Sequence, residues 1–338
     1  MVPKRRVTIK DVAAATGLSP AAVSYALRGV QTSAETQERV QAAATELGYT
    51  ANAVARALSQ GRTGLVGVLS RSLLDLSEQR FVEALGRGLN HHGLQMVVAD
   101  AHGEPHRERQ LARQLADQLV DGLVVSPLDP SDASWADIGA MLPVVTVGDA
   151  LTGPTVGEVV FDNRAGVTLV LEHLEGLGHR EIAVITPSLL STPDRPAERG
   201  VIEVAEALGL HATVVHSDHS IHAATGTATT LLVDRPLPTA VFCLSDSIAC
   251  GVYAAAAAEG LRIPEDVSVV GYDNHAISEA LTPALSGVEW GLADVAETAC
   301  DLLAEAVMGE PREDAAAQVR VTPQLVLRGS TAAPRPAP

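Results

Sequence analysis

Polar side chains able to hydrogen-bond a small ligand recur at the ends of apolar runs in this sequence. Ser70-Arg71-Ser72, with Asp75 close behind, follows the run from Leu65; Ser126 follows the run from Gly122, and Asp149 closes Val144 onward. Asp162-Asn163, Ser245-Asp246 and Asp273-Asn274 stand in the same place in the second half. Carboxylates converging on one cleft accept from hydroxyl or amine donors, so a sugar or other polyol, a nucleoside or a cationic metabolite suits them better than an anion. A strand-end aspartate also caps the helix after it, and for Asp246 capping and ligand contact weigh equally.

A second cluster, His216-Ser-Asp-His-Ser-Ile-His222, brings three histidines and Asp218 together. Its spacing matches no known metal framework, so it reads as a polar loop, and no metal or other cofactor is assigned. Gly-x-Ser-x-Gly elbows, phosphate loops and dinucleotide fingerprints are missing from their required strand-turn-helix settings, so an enzyme is not expected.

The elements that must hold the polar residues follow from the apolar pattern. Runs of Val, Ile and Leu at 65–70, 95–101, 122–126 and 144–149 alternate with amphipathic stretches. The alternation resumes at 181–186, 213–217, 240–245 and 267–273. Continuous apolar strands alternating with helices predict parallel sheets covered on both faces, and two such sheets predict a two-lobed α/β body. In open sheets of this kind ligands lie outside the carboxyl ends of the strands, which is where the polar residues fall.

The N-terminus has a different grammar. Thr8 reads as an N-cap with Asp11 in the capping-box position; Val12 and Ala13 start an apolar face that stops at Gly17; Ser19-Pro20 restarts a helix. Ala13, Gly17 and Val23 are slim where two helices cross, as an all-α helix-turn-helix requires. Its second helix would bring Pro20, Ala21, Ala22, Ser24 and Tyr25 to base edges and flanking phosphates, with Thr8 and Ser19 at the helix starts. Ala21 and Ala22 also serve simply as helix formers, and Tyr25 has packing as its alternative. A third helix runs from Ser33-Glu35 to Gly48, after which Tyr49 packs back on the core. Residues 51–59 favour helix but are too few to be stable alone.

Charge divides the 338-residue chain, whose length predicts two or three domains. Residues 1–63 carry eight basic and four acidic side chains, a balance of +4, while the remainder carries −21 of the total −17. A polyanion is attracted to the first segment and repelled by the rest. Cys243, Cys250 and Cys300 fit reduced thiols, and no signal-peptide core or membrane-length apolar stretch occurs, so a cytoplasmic protein without a membrane partner is expected.

The run Thr8 to Leu58, followed by strand-helix units and Val269-Val-Gly-Tyr-Asp-Asn274, resembles the bacterial transcription regulators of the lactose-repressor (LacI/GalR) family over nearly the whole chain. The resemblance implies a homodimeric repressor of a pseudo-palindromic operator, controlled by a small effector in the cleft between periplasmic-binding-protein-like lobes. It also implies that Tyr25 sets sequence preference, and that Asn52, Ala55, Arg56 and Leu58 belong to a hinge helix whose Leu58 wedges into the minor groove. Asp149 and Asp273 match effector-binding positions, Ser245-Asp246 stands where the family usually has Asn-Asp, and Trp290 falls on a pocket position. Two departures bear on the effector. The arginine expected three residues before Gly200 is Ala197, leaving Arg195 or Arg199 as substitutes, and the usual aromatic positions of the first lobe hold Ser77 and Glu78.

The expected organisation is a headpiece at 1–50, a hinge at 51–63, and a body at 64–330. One lobe takes 64–161 and 291–321, the other 162–290 and 322–330, with a disordered tail at 331–338. Two rival readings are a regulator controlled by a protein partner and a solute-binding protein for transport. The basic headpiece and the missing signal sequence disfavour the second.

Overall fold

The computed structural model describes residues 7–49, 61–117, 120–187, 196–218, 220–234, 237–309 and 317–335. The chain divides into two compact units, Met1–Gly64 and Leu65–Pro338. In the first, α1 (Ile9–Thr16), α2 (Pro20–Leu27) and α3 (Ala34–Leu47) enclose a small core of Val12, Ala13, Val23, Ala26, Val40 and Ala44, with Tyr49 packed at its edge. Asp11 accepts from both the backbone and the hydroxyl of Thr8, at 2.8 and 2.7 Å. Ser19 accepts from the Ala22 amide at 3.1 Å, and Gly17 takes the left-handed turn at φ 69°. The hinge residues Asn52, Ala55, Arg56 and Leu58 lie outside the described residues.

The second unit contains two six-stranded sheets. One has the order β11-β5-β4-β3-β1-β2 and is parallel throughout, built from β1 (Leu65–Ser70), β2 (Gln95–Asp100), β3 (Gly122–Val125), β4 (Val144–Gly148), β5 (Gly157–Phe161) and β11 (Ala317–Val321). The other has the order β12-β10-β9-β8-β6-β7, from β6 (Glu181–Pro187), β7 (His211–Ser217), β8 (Ala240–Cys243), β9 (Ser268–Gly271), β10 (Ser286–Glu289) and β12 (Gln324–Val326). Here β12 alone runs antiparallel, against β10. The chain changes sheet between Phe161 and Asn163, between Glu289 and Leu292, and between Val321 and Gln324.

Each sheet has apolar cores on its two faces. Val66, Val68, Val124 and Val145 pack under α4 (Leu76–His91) and α12 (Leu292–Met308), while Leu69, Leu123, Val125 and Trp135 fill the other side. In the second lobe Val184, Phe242 and Val270 face α7 (Asn163–Gly176) and α8 (Pro196–Leu208). Ile185, Val241 and Val269 face α9 (Ile221–Val233) and α10 (Asp246–Ala258). The alanine run 254–258 closes α10, and α10 lies so near α9 that a Cβ on Gly251 would overlap Ala224.

The expectation of a disordered tail fails for residues 331–335. The Ala332 carbonyl accepts from His179 Nε2 at 2.9 Å and from Ser268 Oγ at 3.1 Å, its amide donates back to Ser268, and Arg335 pairs with Asp266 at 2.6 Å. A Pro- and Ala-rich segment has little apolar surface to bury, but it can be held by polar partners that sequence composition does not reveal.

Candidate functional site

Two sites emerge, one in each unit. On the headpiece, the second helix buries Val23 and Ala26 and turns Pro20, Ala21 and Tyr25 outward, while Ala22 and Ser24 are half-buried. Tyr25 is 39% exposed, and the Arg28 guanidinium lies 5.2 Å from its ring centre. Arg28 also donates to the Ser24 carbonyl at 3.2 Å, which holds it over the ring. The helix therefore presents a hydroxyl-bearing ring beside a cation, an arrangement able to meet a base edge and a phosphate together.

In the larger unit a cleft of about 120 Å³ opens between the lobes at the carboxyl ends of both sheets. The first lobe lines it with Arg71, Asp75, Ser77, Glu78 and Phe81, then Ser126 after β3 and Val147 to Asp149 at the end of β4. The second lobe contributes Thr186 from β6, Leu244 after β8, Tyr272 and Asp273 after β9, and Glu198 from α8. Phe161, Asn163, Trp290 and Leu292 come from the crossovers. The ring centres of Phe161 and Trp290 are 5.0 Å apart, Tyr272 stands edge-on to Trp290 at 5.3 Å, and Trp290 Nε1 donates to the Tyr272 carbonyl at 2.8 Å. Gly166 makes this packing possible, since a Cβ there would overlap the Trp290 ring.

Of the residues expected from sequence to face an effector, Asp75, Ser126, Asp149, Asp273 and Trp290 lie on the cleft. Four others do not, and local hydrogen bonding explains each. Ser72 is buried and accepts from the Leu74 amide; Ser245 caps the Ser247 amide; Asp162 caps the Ala165 amide and pairs with Arg320 at 3.7 Å. Asp246 is fully buried, and its two oxygens take the amides of Tyr272, Asp273 and His275 and the Ser278 hydroxyl. Arg195 lies outside the described residues, and Arg199 points to Glu203 at 3.9 Å.

Sequence reasoning named Arg71 only within its strand-end run, with no role of its own, and overlooked Phe81 and Thr186. Phe81 follows Ser77 by one helical turn on the same face, so the i, i+4 spacing carried the signal for the ring missing at 77. Arg71 donates to Glu78 through Nε and Nη2, both at 2.9 Å, and Ser70 donates to the same carboxylate at 2.8 Å. Burial alone lowers the Arg71 pKa, but the carboxylates of Glu78 and Asp75 more than reverse this and hold it charged. Asp273 is pushed the other way: burial, then the charges of Asp75 and Asp246, raise its carboxyl well above the usual range. The His cluster is split, with His216 on β7 beside Glu198 at 3.3 Å and His222 on α9.

Comparison with known proteins places both units. Residues 8–52 match the family "Bacterial regulatory proteins, lacI family", and residues 171–331 match a periplasmic binding protein-like domain. The chain is 30% identical over 332 residues to the HTH-type transcriptional repressor PurR of Erwinia tasmaniensis, covering 96% of this chain and 97% of that protein. It is 29% identical to the ribose operon repressor of Haemophilus influenzae, with 96% and 98% covered. The lac repressor dimer bound to operator and the anti-inducer ONPF superposes with a TM-score of 0.84 at 27% identity, over 97% of this chain and 100% of that one. The chain belongs to the lacI family of bacterial regulatory proteins, and is a DNA-binding transcriptional regulator rather than an enzyme.

Proposed function

We propose that the protein is a cytoplasmic repressor that binds a pseudo-palindromic operator as a homodimer and releases or tightens it when a small polar metabolite enters the interlobe cleft. The observation that carries this reading is a single chain combining an exposed recognition helix with a polar cleft lined from both lobes. The lac repressor relative is a dimer bound to operator with a small molecule, which supports the same division of labour here. Pro20 and Ala21 offer apolar contact to thymine methyls, Tyr25 a polar one, and Leu58 of the hinge an apolar wedge. Asp75, Ser126, Asp149 and Asp273 take the effector's donors, and Trp290 with Phe161 takes its apolar face.

The coupling follows from contacts that already join the lobes. Ser247 Oγ accepts from the Leu76 amide at 3.1 Å, and Arg80 donates to the Asn274 carbonyl at 3.2 Å. A ligand that prefers the lobe arrangement making these contacts shifts the dimer's population toward it.

The test compares the full chain with a fragment starting at Leu65, which forms its own compact unit. The full chain should bind selected genomic DNA with affinity falling steeply as salt rises, and the fragment should lose that binding while remaining folded. A fragment that binds the same DNA as tightly overturns the headpiece assignment.

A further inference from the structure

We propose that the molecule recognised in the cleft carries a protonated amine on a hydroxylated ring, as in an amino sugar or aminocyclitol, with the amine at Asp273 and Asp75 and a hydroxyl on Thr186. This rests on the reading of the cleft as the effector site and goes further by naming the ligand's charge.

The first observation is the charge of the lining. Asp75, Glu78, Asp149, Glu198 and Asp273 face the cleft, and Arg71 is the single cation among the described lining residues. Arg71 donates twice to Glu78 and lies in the field of Asp75 and Asp149 as well, so one cation is shared among several carboxylates and the lining keeps an excess of negative groups. Ala197 stands where the resemblance leads one to expect an arginine.

Asp273 and Asp75 approach the cleft from opposite lobes, Asp75 at the start of α4 and Asp273 after β9. Like charges held at a buried boundary raise each other's cost, and a cation placed between them relieves it more than a neutral hydroxyl does.

The second observation is independent of charge. Thr186, at the carboxyl end of β6, lines the cleft and is 0% exposed, and its hydroxyl has no hydrogen-bond partner. Buried hydroxyls are almost always paired, so an orphan on a cleft wall marks a place where a ligand's polar group belongs. The third is the pair of rings, Phe161 and Trp290, on the cleft wall, an apolar surface suited to the C–H groups of a saturated ring and attractive to a nearby cation.

The experiment is calorimetric titration of the full-length protein with glucosamine, galactosamine and 2-deoxystreptamine, set against glucose, galactose, N-acetylglucosamine and adenosine, with putrescine as an amine lacking the ring. At least one hydroxylated amine should bind about tenfold or more tighter than its neutral counterpart and than putrescine. Asp273→Asn should reduce that preference to about twofold. Thr186→Val should weaken amine binding about fivefold while leaving the melting temperature of the free protein unchanged or higher, because it removes an unpaired buried hydroxyl.

The proposal is overturned if the neutral sugars or adenosine bind as tightly as the amines, if no hydroxylated amine binds, if putrescine binds equally well, or if Thr186→Val binds like wild type. Neutral ligands that bind and alter DNA affinity would leave the cleft as an effector site and remove only the amine. An amine that binds as described but leaves DNA affinity unchanged would do the reverse, keeping the ligand and refuting the regulatory reading of the cleft. Should Asp273→Asn fail to fold, the comparison of amines with neutral sugars on the unmutated protein decides the charge, and Thr186→Val decides the hydroxyl.

Discussion

Asp246 and Asp273 hold each other at the mouth of the second lobe: the Asp246 amide donates to Asp273 Oδ2 at 2.8 Å, and the Asp273 amide donates to Asp246 Oδ1 at 3.2 Å. The two carboxylates nevertheless have different work. Asp273 faces the cleft, whereas Asp246 is sealed behind it with four donors on its two oxygens. Gly271 permits that close packing, since a Cβ there would overlap Asp246 Oδ1.

Replacing Asp246 by alanine should therefore act on stability first. It strands the amides of Tyr272, Asp273 and His275 and the Ser278 hydroxyl in a buried site. The expected loss is about 3 kcal/mol or more, read as a lower urea midpoint. A variant with the wild-type midpoint would show that water replaces the carboxylate and that the loop after β9 does not depend on it.

Glu108, on α5 (Pro105–Asp117), should make the body less stable as pH rises. It is 1% exposed and accepts from the Leu128 amide at 2.7 Å, yet burial outweighs that bond and raises its pKa from 4.5 to about 7. The folded protein thus keeps a proton that the unfolded chain releases near 4.5, and stability falls as pH climbs from there through about 7. Glu108→Gln, whose amide oxygen can still receive Leu128, should flatten this slope and be the more stable form at pH 8 by up to about 3 kcal/mol. Chemical denaturation at pH 5, 6.5 and 8 checks it; parallel curves for the two proteins at all three values would refute it.

Tyr25 and Arg28 should separate sequence reading from charge. Loss of the Tyr25 hydroxyl in Tyr25→Phe should weaken binding to the selected site by about fivefold and relax its base preference, leaving the salt dependence alone. Arg28→Ala should weaken selected and random DNA alike and lower the salt slope by about one. Binding titrations at several salt concentrations distinguish the two, and equal effects of Tyr25→Phe on both DNAs would return Tyr25 to a packing role.

The headpiece and the α/β architecture were legible in the sequence because both follow from local signals. Ser19-Pro20 and the left-handed Gly17 set helix ends within a few residues, and continuous Val, Ile and Leu runs alternating with helices admit little besides parallel sheets with polar residues at their carboxyl ends. That Asp246 turns inward while Asp273 faces the cleft was not legible. Both are aspartates at strand ends, and the choice was made by amides brought from residues 272, 273 and 275 and by the absent side chain of Gly271, all distant from Asp246 in sequence. The same holds for Thr186, an ordinary strand residue until three crossovers bring two lobes together over it, and for the tail, held by Ser268, His179 and Asp266. Periodicity and capping act over a turn or a strand and can be read from neighbours. Which polar group is paired within the fold and which is left facing a ligand depends on partners the chain meets only after it has folded.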